Sequence, residues 1–246
     1  MIISRQNALV KEVRKLISDK KYRDQSGTFV LEGIKLFNEA VSSGYRIKTV
    51  CYTAKVKDCI PKEYESVSQE LSQEVFDYTS SEVTPQGILA VLDKKPEGKP
   101  NGKSAILLDG VADPANVGAV IRTAAASGFY DVYLIDTADP FSVKSARASM
   151  GGLFKVNIHT IKREDVDKIG LPLAVADMDG ENVFNVSVLP NICLVIGNEG
   201  KGVSKEIREK AKITLSIPME NGMESLNASV SAGIMMYAVK NIIKGE

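Results

Sequence analysis

The feature that most restricts this chain is the regular alternation, from residue 104 to 246, of short apolar runs with amphipathic segments. AILLDG, DVYLID, VNIHTI, LPLAVAD, NICLVIGNE and ITLSIP read as strands. They are almost continuously apolar, the pattern of strands covered on both sheet faces. NVGAVIRTAAASG reads as a helix closed by Gly128, SVKSARASMGGLF as a further helix, SKEIREKA as a short one with Ser204 as N-cap, and SLNASVSAGIMMYAVKNII as a long final one. Such an order builds an α/β domain around a mostly parallel sheet.

The preceding residues form a second unit. QNALVKEVRKLIS places Leu9, Val13, Leu16 and Ile17 on one helical stripe. TFVLEG, IKTVCYT and GILAVLD read as strands, IKLFNEAVSSG as a helix ending at Gly44, and IPKEYESVSQELS as mostly helix. The run KKPEGKPNGK carries two prolines, two glycines and four lysines with no apolar residue, which is linker composition. The domains are therefore read as 1–93 and 104–246, joined by 94–103.

Composition removes several chemistries. The chain has one histidine, His159, so a Ser-His-Asp triad or a histidine-rich metal site would have to use it. VNIHTI alternates like a strand with no local carboxylate or cysteine, so His159 is read as a structural or surface residue. Cys51, Cys59 and Cys193 are too scattered for a disulfide framework or a zinc site, and no metal is expected. Gly102-Lys103-Ser104 resembles the end of a phosphate loop, but only three residues separate Gly98 from Gly102 where that loop needs four. No apolar run approaches the roughly 18–20 residues of a membrane helix, and MIISRQNALVKEVRKL lacks the core of a secretory signal. The expected location is the cytoplasm. Net charge is zero, yet the first 35 residues hold eight basic against four acidic side chains. That excess, with Lys11, Lys15, Lys21 and Arg23, is either a solvated face or a phosphate-contacting patch.

Three polar clusters lie at strand ends or the helix starts that follow, the edge where open α/β sheets bind ligands. The first runs from Asp113 to Arg122. Asp113 or Asn116 caps the helix, and Asn116 and Arg122, six apart, share a site only if Asn116 lies in the turn. The second, Ile196-Gly197-Asn198-Glu199-Gly200-Lys201-Gly202, sets three glycines after an apolar strand, implying positive φ or close backbone approach. The third runs from Ile217-Pro218-Met219 to Ser225-Leu226-Asn227-Ala228-Ser229, with Ser225 as a candidate N-cap and free main-chain N–H groups in the first turns after it. Each alone is also readable as an ordinary loop or capped helix.

Together, N-x-G-x-x-x-R, I-G-N-E-G-x-G and I-P-M…S-L-N-x-S, in that order, resemble the signature motifs of the SpoU (TrmH-type) RNA 2′-O-ribose methyltransferases of the SPOUT superfamily. The resemblance covers about 105 to 243. SRQNALVKEVRKL and FVLEGIKLFNEA more loosely resemble that family's substrate-binding domain, whose fold is like ribosomal protein L30e.

The resemblance implies a parallel sheet with a deep C-terminal trefoil knot, preceded by a small L30e-like α/β domain. It implies a homodimer with its site at the interface, S-adenosyl-L-methionine as cofactor, and methyl transfer to a ribose 2′-hydroxyl of structured RNA. Ribosomal 23S RNA is the favoured substrate; transfer RNA, or a non-catalytic role in RNA binding and ribosome assembly, are the alternatives. Carried over by motif, Gly197, Ile217 and Leu226, with Asn198, Gly200 and Met219, are the cofactor positions. Arg122 matches the catalytic arginine. A pKa above ~12 makes arginine a costly general base, so its implied role is to bind a phosphate or the developing alkoxide. Asn116, Glu199, Asn227 and Ser229 are expected to shape and orient the site.

Overall fold

In the computed structural model, which describes residues 1–187 and 189–244 apart from the Lys244 side chain, the chain divides into two units. One comprises Met1–Pro96 together with Phe141–Phe154; the other comprises Glu97–Pro140 and Lys155–Glu246.

The first unit begins with α1 (Ala8–Ser18), capped by the Asn7 side chain, which accepts from the Leu9 N–H at 2.9 Å. Its apolar stripe buries Val10, Val13 and Leu16. The next helix, α2 (Lys20–Ser26), has no apolar periodicity and was not legible in the sequence. Asp19 caps its start, accepting from the Tyr22 N–H at 3.1 Å. Its Arg23 is only 4% exposed, and the guanidinium donates to the carbonyls of Leu16 (2.6 Å) and Ile17 (3.0 Å). Arg23 therefore closes the C-terminal end of α1, where a cation suits the free carbonyls, and the reading of Arg23 as an RNA contact is corrected.

Strand β1 (Thr28–Glu32), α3 (Ile34–Ser42) and β2 (Ile47–Tyr52) follow. The segment IPKEYESVSQELS, expected as mostly helix, instead forms a 3₁₀ turn at Lys62–Val67 and a short strand β3 (Ser68–Glu70). Pairing with β2 overrides local preference there. A helix forms one step later, as α4 (Gln73–Thr79), started by Ser72. With β4 (Ile88–Asp93) the sheet order is β1-β4-β2-β3, antiparallel except for β2 with β3. One cluster under this sheet joins Val13 and Leu16 of α1, Val75 and Phe76 of α4, and Val30, Cys51 and Leu89 of the strands.

The second unit runs β5 (Ala105–Asp109), α5 (Pro114–Ser127) and β6 (Asp131–Ile135). The chain then makes α6 (Val143–Ser149), which counts with the first unit. It continues through β7 (Asn157–Thr160), a 3₁₀ helix at Arg163–Ile169, β8 (Leu173–Asn182), β9 (Cys193–Gly197), α7 (Lys205–Arg208), β10 (Ile213–Ser216) and α8 (Ala228–Lys244). All six strands are parallel, in the order β10-β8-β9-β5-β6-β7. Leu107, Tyr133, Val175 and Val195 join one core cluster with Val203 and Ile207. The alternate residues Ile106, Leu108, Val132 and Leu194 are equally buried on the other face. Two covered faces explain the continuously apolar strands.

The segment Phe141–Phe154, read from sequence within the 104–246 domain, packs into the first unit. Phe141 lies 5.2 Å from Phe29 and Phe154 lies 4.7 Å from Tyr45, ring centre to ring centre. Between these ends Val143 enters the first unit's core, and Arg147 pairs with Glu82. Val143 and Phe154 are buried, and burying an apolar side chain of this kind contributes about 1.5–3 kcal/mol, which favours this packing over grouping with the sequence neighbours.

Glu97 and Asn101, in the stretch of linker composition, are tied into the second unit. His159 is buried, with Nδ1 2.7 Å from Glu97 Oε1 and Nε2 3.0 Å from Asp131 Oδ1, and its ring stacks on Tyr133. The carboxylates absent from its local sequence thus arrive from β6 and from 94–103. Asp131 also accepts from the Asn101 N–H and the Asn157 amide, each at 2.9 Å. Burial pushes the Asp131 pKa up, but the hydrogen bonds from Asn101, Asn157 and His159 outweigh it and hold it below its ordinary 3.8. A lowered folded pKa contributes stability that is present above the unfolded value and lost as pH falls through the folded one. We expect Asp131→Asn to lose about 1–3 kcal/mol at neutral pH, the penalty for disrupting buried polar pairs. Its urea-unfolding stability should also fall less steeply than the parent's below pH 3.8.

Candidate active site

The site is built where β5, β9 and β10 end. After β5, Asp113 caps α5 by accepting from the Ala115 N–H at 2.9 Å, with Pro114 at the first helical position. Asn116 is therefore inside the helix rather than in the turn, and is 9% exposed. At ~100° per residue, six residues put Arg122 about 120° around the helix from it. Arg122 is exposed, and among the described residues it makes no hydrogen bond or ion pair. The condition under which Asn116 and Arg122 would share one site within a chain is not met.

After β9, the three glycines have different reasons to be glycine. A Cβ on Gly197 would lie 2.2 Å from Gly202 C and from Val203 N, so main chain packs on main chain there. Gly202 takes φ +68°. Gly200 has neither constraint. Asn198 and Gly202 exchange main-chain hydrogen bonds at 3.0 and 2.9 Å, closing the loop. The Asn198 side chain holds it from both sides. Its Nδ2 donates to the Gly110 carbonyl at 2.8 Å, and its Oδ1 accepts from the N–H groups of Gly200 and Lys201, each at 3.0 Å.

That frame aims Glu199 at α5. Its Oε1 accepts from Asn116 Nδ2 at 2.8 Å and its Oε2 from the Ala112 N–H at 3.3 Å. The Glu199 side chain is exposed, and the partial desolvation that its neighbours impose on it pushes its pKa up. Hydrogen bonds from Asn116 and from main-chain groups of Glu199, Ala112 and Asp113 outweigh this and bring it below the ordinary value. Glu199 is thus held as a carboxylate, an acceptor only.

The third segment completes the chain of bonds. Asn227 Nδ2 donates to Asn116 Oδ1 at 3.0 Å, and Asn227 Oδ1 accepts from the Ser229 N–H (2.9 Å), the Ser229 hydroxyl (2.7 Å) and the Val230 N–H (3.3 Å). Asn227, not Ser225, therefore caps α8. Glu199, Asn116, Asn227 and Ser229 form one relay from the three clusters. Its polarity follows from Glu199: an acceptor turns the Asn116 NH₂ toward itself, which turns the Asn116 carbonyl toward Asn227.

Between β10 and α8, Ile217, Met219 and Leu226 are half-buried. Among the described residues, the main chain of 217–226 makes one hydrogen bond past the strand ladder, from the Met223 N–H to the Glu220 carbonyl at 3.2 Å. The remaining main-chain groups are free to bind a ligand. In the first unit, Lys11, Lys15 and Lys21 are exposed, with Lys15 over the Tyr22 ring. No group of histidine, cysteine, aspartate or glutamate able to hold a metal ion occurs among the described residues.

Sequence reading missed Asp109 and Arg163, which anchor the β9 loop. Asp109, the one charge in an otherwise apolar strand, was a usable signal. Arg163 carried none.

Comparison with known proteins converges on one group. Residues 103–237 match the SpoU rRNA Methylase family model, and residues 7–90 match the MRM3-like substrate binding domain. The chain is 33% identical to the 23S rRNA (guanosine(2553)-2'-O)-methyltransferase RlmP of Bacillus subtilis (strain 168), over 97% of this chain and 98% of the relative. It is 26% identical to the 23S rRNA (uridine(2479)-2'-O)-methyltransferase of Streptomyces viridochromogenes, over 99% and 93%. The crystal structure of an AdoMet-bound rRNA methyltransferase from Sinorhizobium meliloti superposes with a TM-score of 0.86 at 28% identity, covering 98% of this chain and 97% of that one.

The approach at Gly197 gives a direct test. Because both clashing groups are main chain, Gly197→Ala should displace the loop. We expect a stability loss of about 1–3 kcal/mol in urea unfolding, and loss of calorimetrically detectable S-adenosylhomocysteine binding. Parental affinity for that probe would contradict the loop's assignment.

Proposed function

Since the chain belongs to the SpoU rRNA methylase family, we propose that it transfers a methyl group from S-adenosylmethionine to a ribose 2′-hydroxyl in 23S ribosomal RNA, in the cytoplasm. The observation that carries this reading is the Glu199–Asn116–Asn227–Ser229 relay, which draws three segments from distant parts of the chain into one site. The choice of 23S RNA is supported by the similarity to enzymes named for that substrate, which extends over the first unit as well as the second.

The residues present fit the cofactor. Free main-chain groups and the half-buried side chains of Ile217, Met219 and Leu226 suit an adenine and its ribose, which need hydrogen bonds and apolar contact more than charge. Gly197, Asn198 and Gly200 supply the opposing main chain. Bound S-adenosylmethionine supplies an electrophilic methyl on its sulfonium. The protein's task is to orient the ribose oxygen in line with that methyl and to keep water out. Glu199, with its lowered pKa, is a weak base and serves as the fixed end of the relay. Through Asn116 it sets Asn227 and Ser229.

Arg122 stands apart from this relay within the chain, with an unpaired guanidinium. In our reading it completes the site of a second copy, binding an RNA phosphate or stabilising the developing alkoxide there. A homodimer is supported by Val230 and Tyr237, which lie two turns apart on α8 and are 49% and 51% exposed, on a helix packed against α5. The trefoil knot is supported by main chain packed on main chain at Gly197 and Gly180; a Cβ on Gly180 would lie 2.6 Å from Leu215 C. The mixed sheet of the first unit, flanked by helices, suits an L30e-like domain that binds the substrate RNA through Lys11, Lys15 and Lys21.

Two experiments test the reading. Incubated with labelled S-adenosylmethionine and unmodified total RNA, the protein should place label in the ribosomal fraction, recovered as a 2′-O-methylnucleoside. Arg122→Ala should lower that turnover by about 10²–10³ while S-adenosylhomocysteine binding holds. Label in transfer RNA alone would replace the substrate, and full activity of the variant would remove Arg122 from the mechanism. Reversing Lys11, Lys15 and Lys21 to Glu should weaken RNA binding roughly tenfold or more and flatten the slope of log affinity against log salt by about two. An unchanged slope in filter binding would place the RNA elsewhere.

A further inference from the structure

The loop from Gly197 to Ser204 carries three of the cofactor positions, and both of its ends are tied to one residue. At its start, the main chain of Asp109 pairs with Gly197 across the β5–β9 ladder. At its end, Asp109 Oδ2 accepts from the Ser204 N–H at 2.7 Å. The Asp109 side chain is 1% exposed, so its charge must be met inside the protein. Arg163, from the 3₁₀ helix after β7, meets it. Nη2 and Nε of Arg163 reach Asp109 Oδ1 at 2.8 and 3.3 Å. Nε also donates to the Ser204 hydroxyl at 3.1 Å, and Nη1 pairs with Asp136 at 2.9 Å. Asp136 sits just after β6 in the left-handed region, φ +50°. Ser204, the N-cap of α7, makes no side-chain capping bond of its own.

Resting on the methyltransferase reading, we propose that Asp109 and Arg163 are positioning residues for the cofactor: a latch that closes the Gly197–Ser204 loop and holds its main chain in the shape S-adenosylmethionine requires. The guanidinium fork matters as well as the charge. A planar group with five donors in fixed geometry reaches Asp109, Ser204 and Asp136 together, where an ammonium is a single point charge. The latch makes no direct contact with Asn116, Asn227 or Ser229, and Asn198 anchors the Glu199 end of the loop separately on the Gly110 carbonyl, so loss of the latch weakens cofactor binding more than it disturbs the relay.

The test uses the full chain and S-adenosylhomocysteine as the calorimetric probe. Arg163→Lys keeps the charge and loses the fork. Asp109→Asn keeps one acceptor oxygen beneath the loop and loses the charge that holds the fork, leaving Arg163, whose side chain is 36% exposed, open to solvent. Ser204→Ala removes the hydroxyl alone. We expect the probe's Kd to rise about tenfold in Arg163→Lys and in Asp109→Asn, and less than threefold in Ser204→Ala. The KM for S-adenosylmethionine should rise in parallel while kcat stays within threefold, RNA affinity within twofold and the melting temperature within a few degrees. Unchanged probe affinity in Arg163→Lys and Asp109→Asn would overturn the latch. So would a fall of probe affinity, RNA affinity and melting temperature together, which marks a merely structural pair. Failure of the unaltered protein to bind the probe would instead overturn the methyltransferase reading on which the latch rests.

Discussion

Everything at the site depends on one exposed carboxylate held in place by its hydrogen bonds. Glu199 can only accept hydrogen bonds, and that restriction passes along the site. It turns the Asn116 amide one way, which turns Asn227 and gives the start of α8 its cap. A neutral amide at position 199 would leave every orientation after it ambiguous. The partners are 83 and 111 residues apart in sequence, so the relay is also what joins the three segments to one another.

The parallel sheet makes this possible. Parallel strands put all their C-terminal ends on one edge, so the loops after β5, β9 and β10 gather there whatever their separation in sequence. Glycine at 197 then lets main chain lie against main chain. Such a surface presents peptide groups rather than charged side chains, which accounts for a site without histidine, metal ligands or a phosphate loop. Its precision rests on the anchors beneath it, Asn198 on the Gly110 carbonyl and Asp109 on the Ser204 N–H.

The first unit shows a different constraint. Its sheet leaves apolar surface that residues 1–96 do not cover alone, and the chain supplies the cover from between β6 and β7. Aromatic contacts pin both ends of that segment, Phe141 on Phe29 and Phe154 on Tyr45. The unit is therefore discontinuous in sequence, although Glu97 and Asn101 lie on the far side of a composition change that suggests a simple division.

Strands, the long helices and the three polar clusters were legible in the sequence because each is set by neighbouring residues: apolar period, capping side chains, glycine placement. Segments whose structure depends on a distant partner were not. The 3₁₀ turn and β3 replace an expected helix because β2 offers a strand to pair with. Arg23 looks like one more basic residue of a helix, yet it is buried against the end of α1. Ser225 and Asn227 are both good caps by type, and only the position of Asn116 selects Asn227. The sequence by itself determined the class of fold, the family motifs and the residue types of the site. The tertiary structure alone decided which of those residues meet, that Arg122 stands apart from the relay within one chain, and that Asp109 and Arg163 belong beneath the loop. The physical reason is that hydrogen bonds and ion pairs act over a few ångströms, and which groups come that close is set by strand order and helix face rather than by distance along the chain.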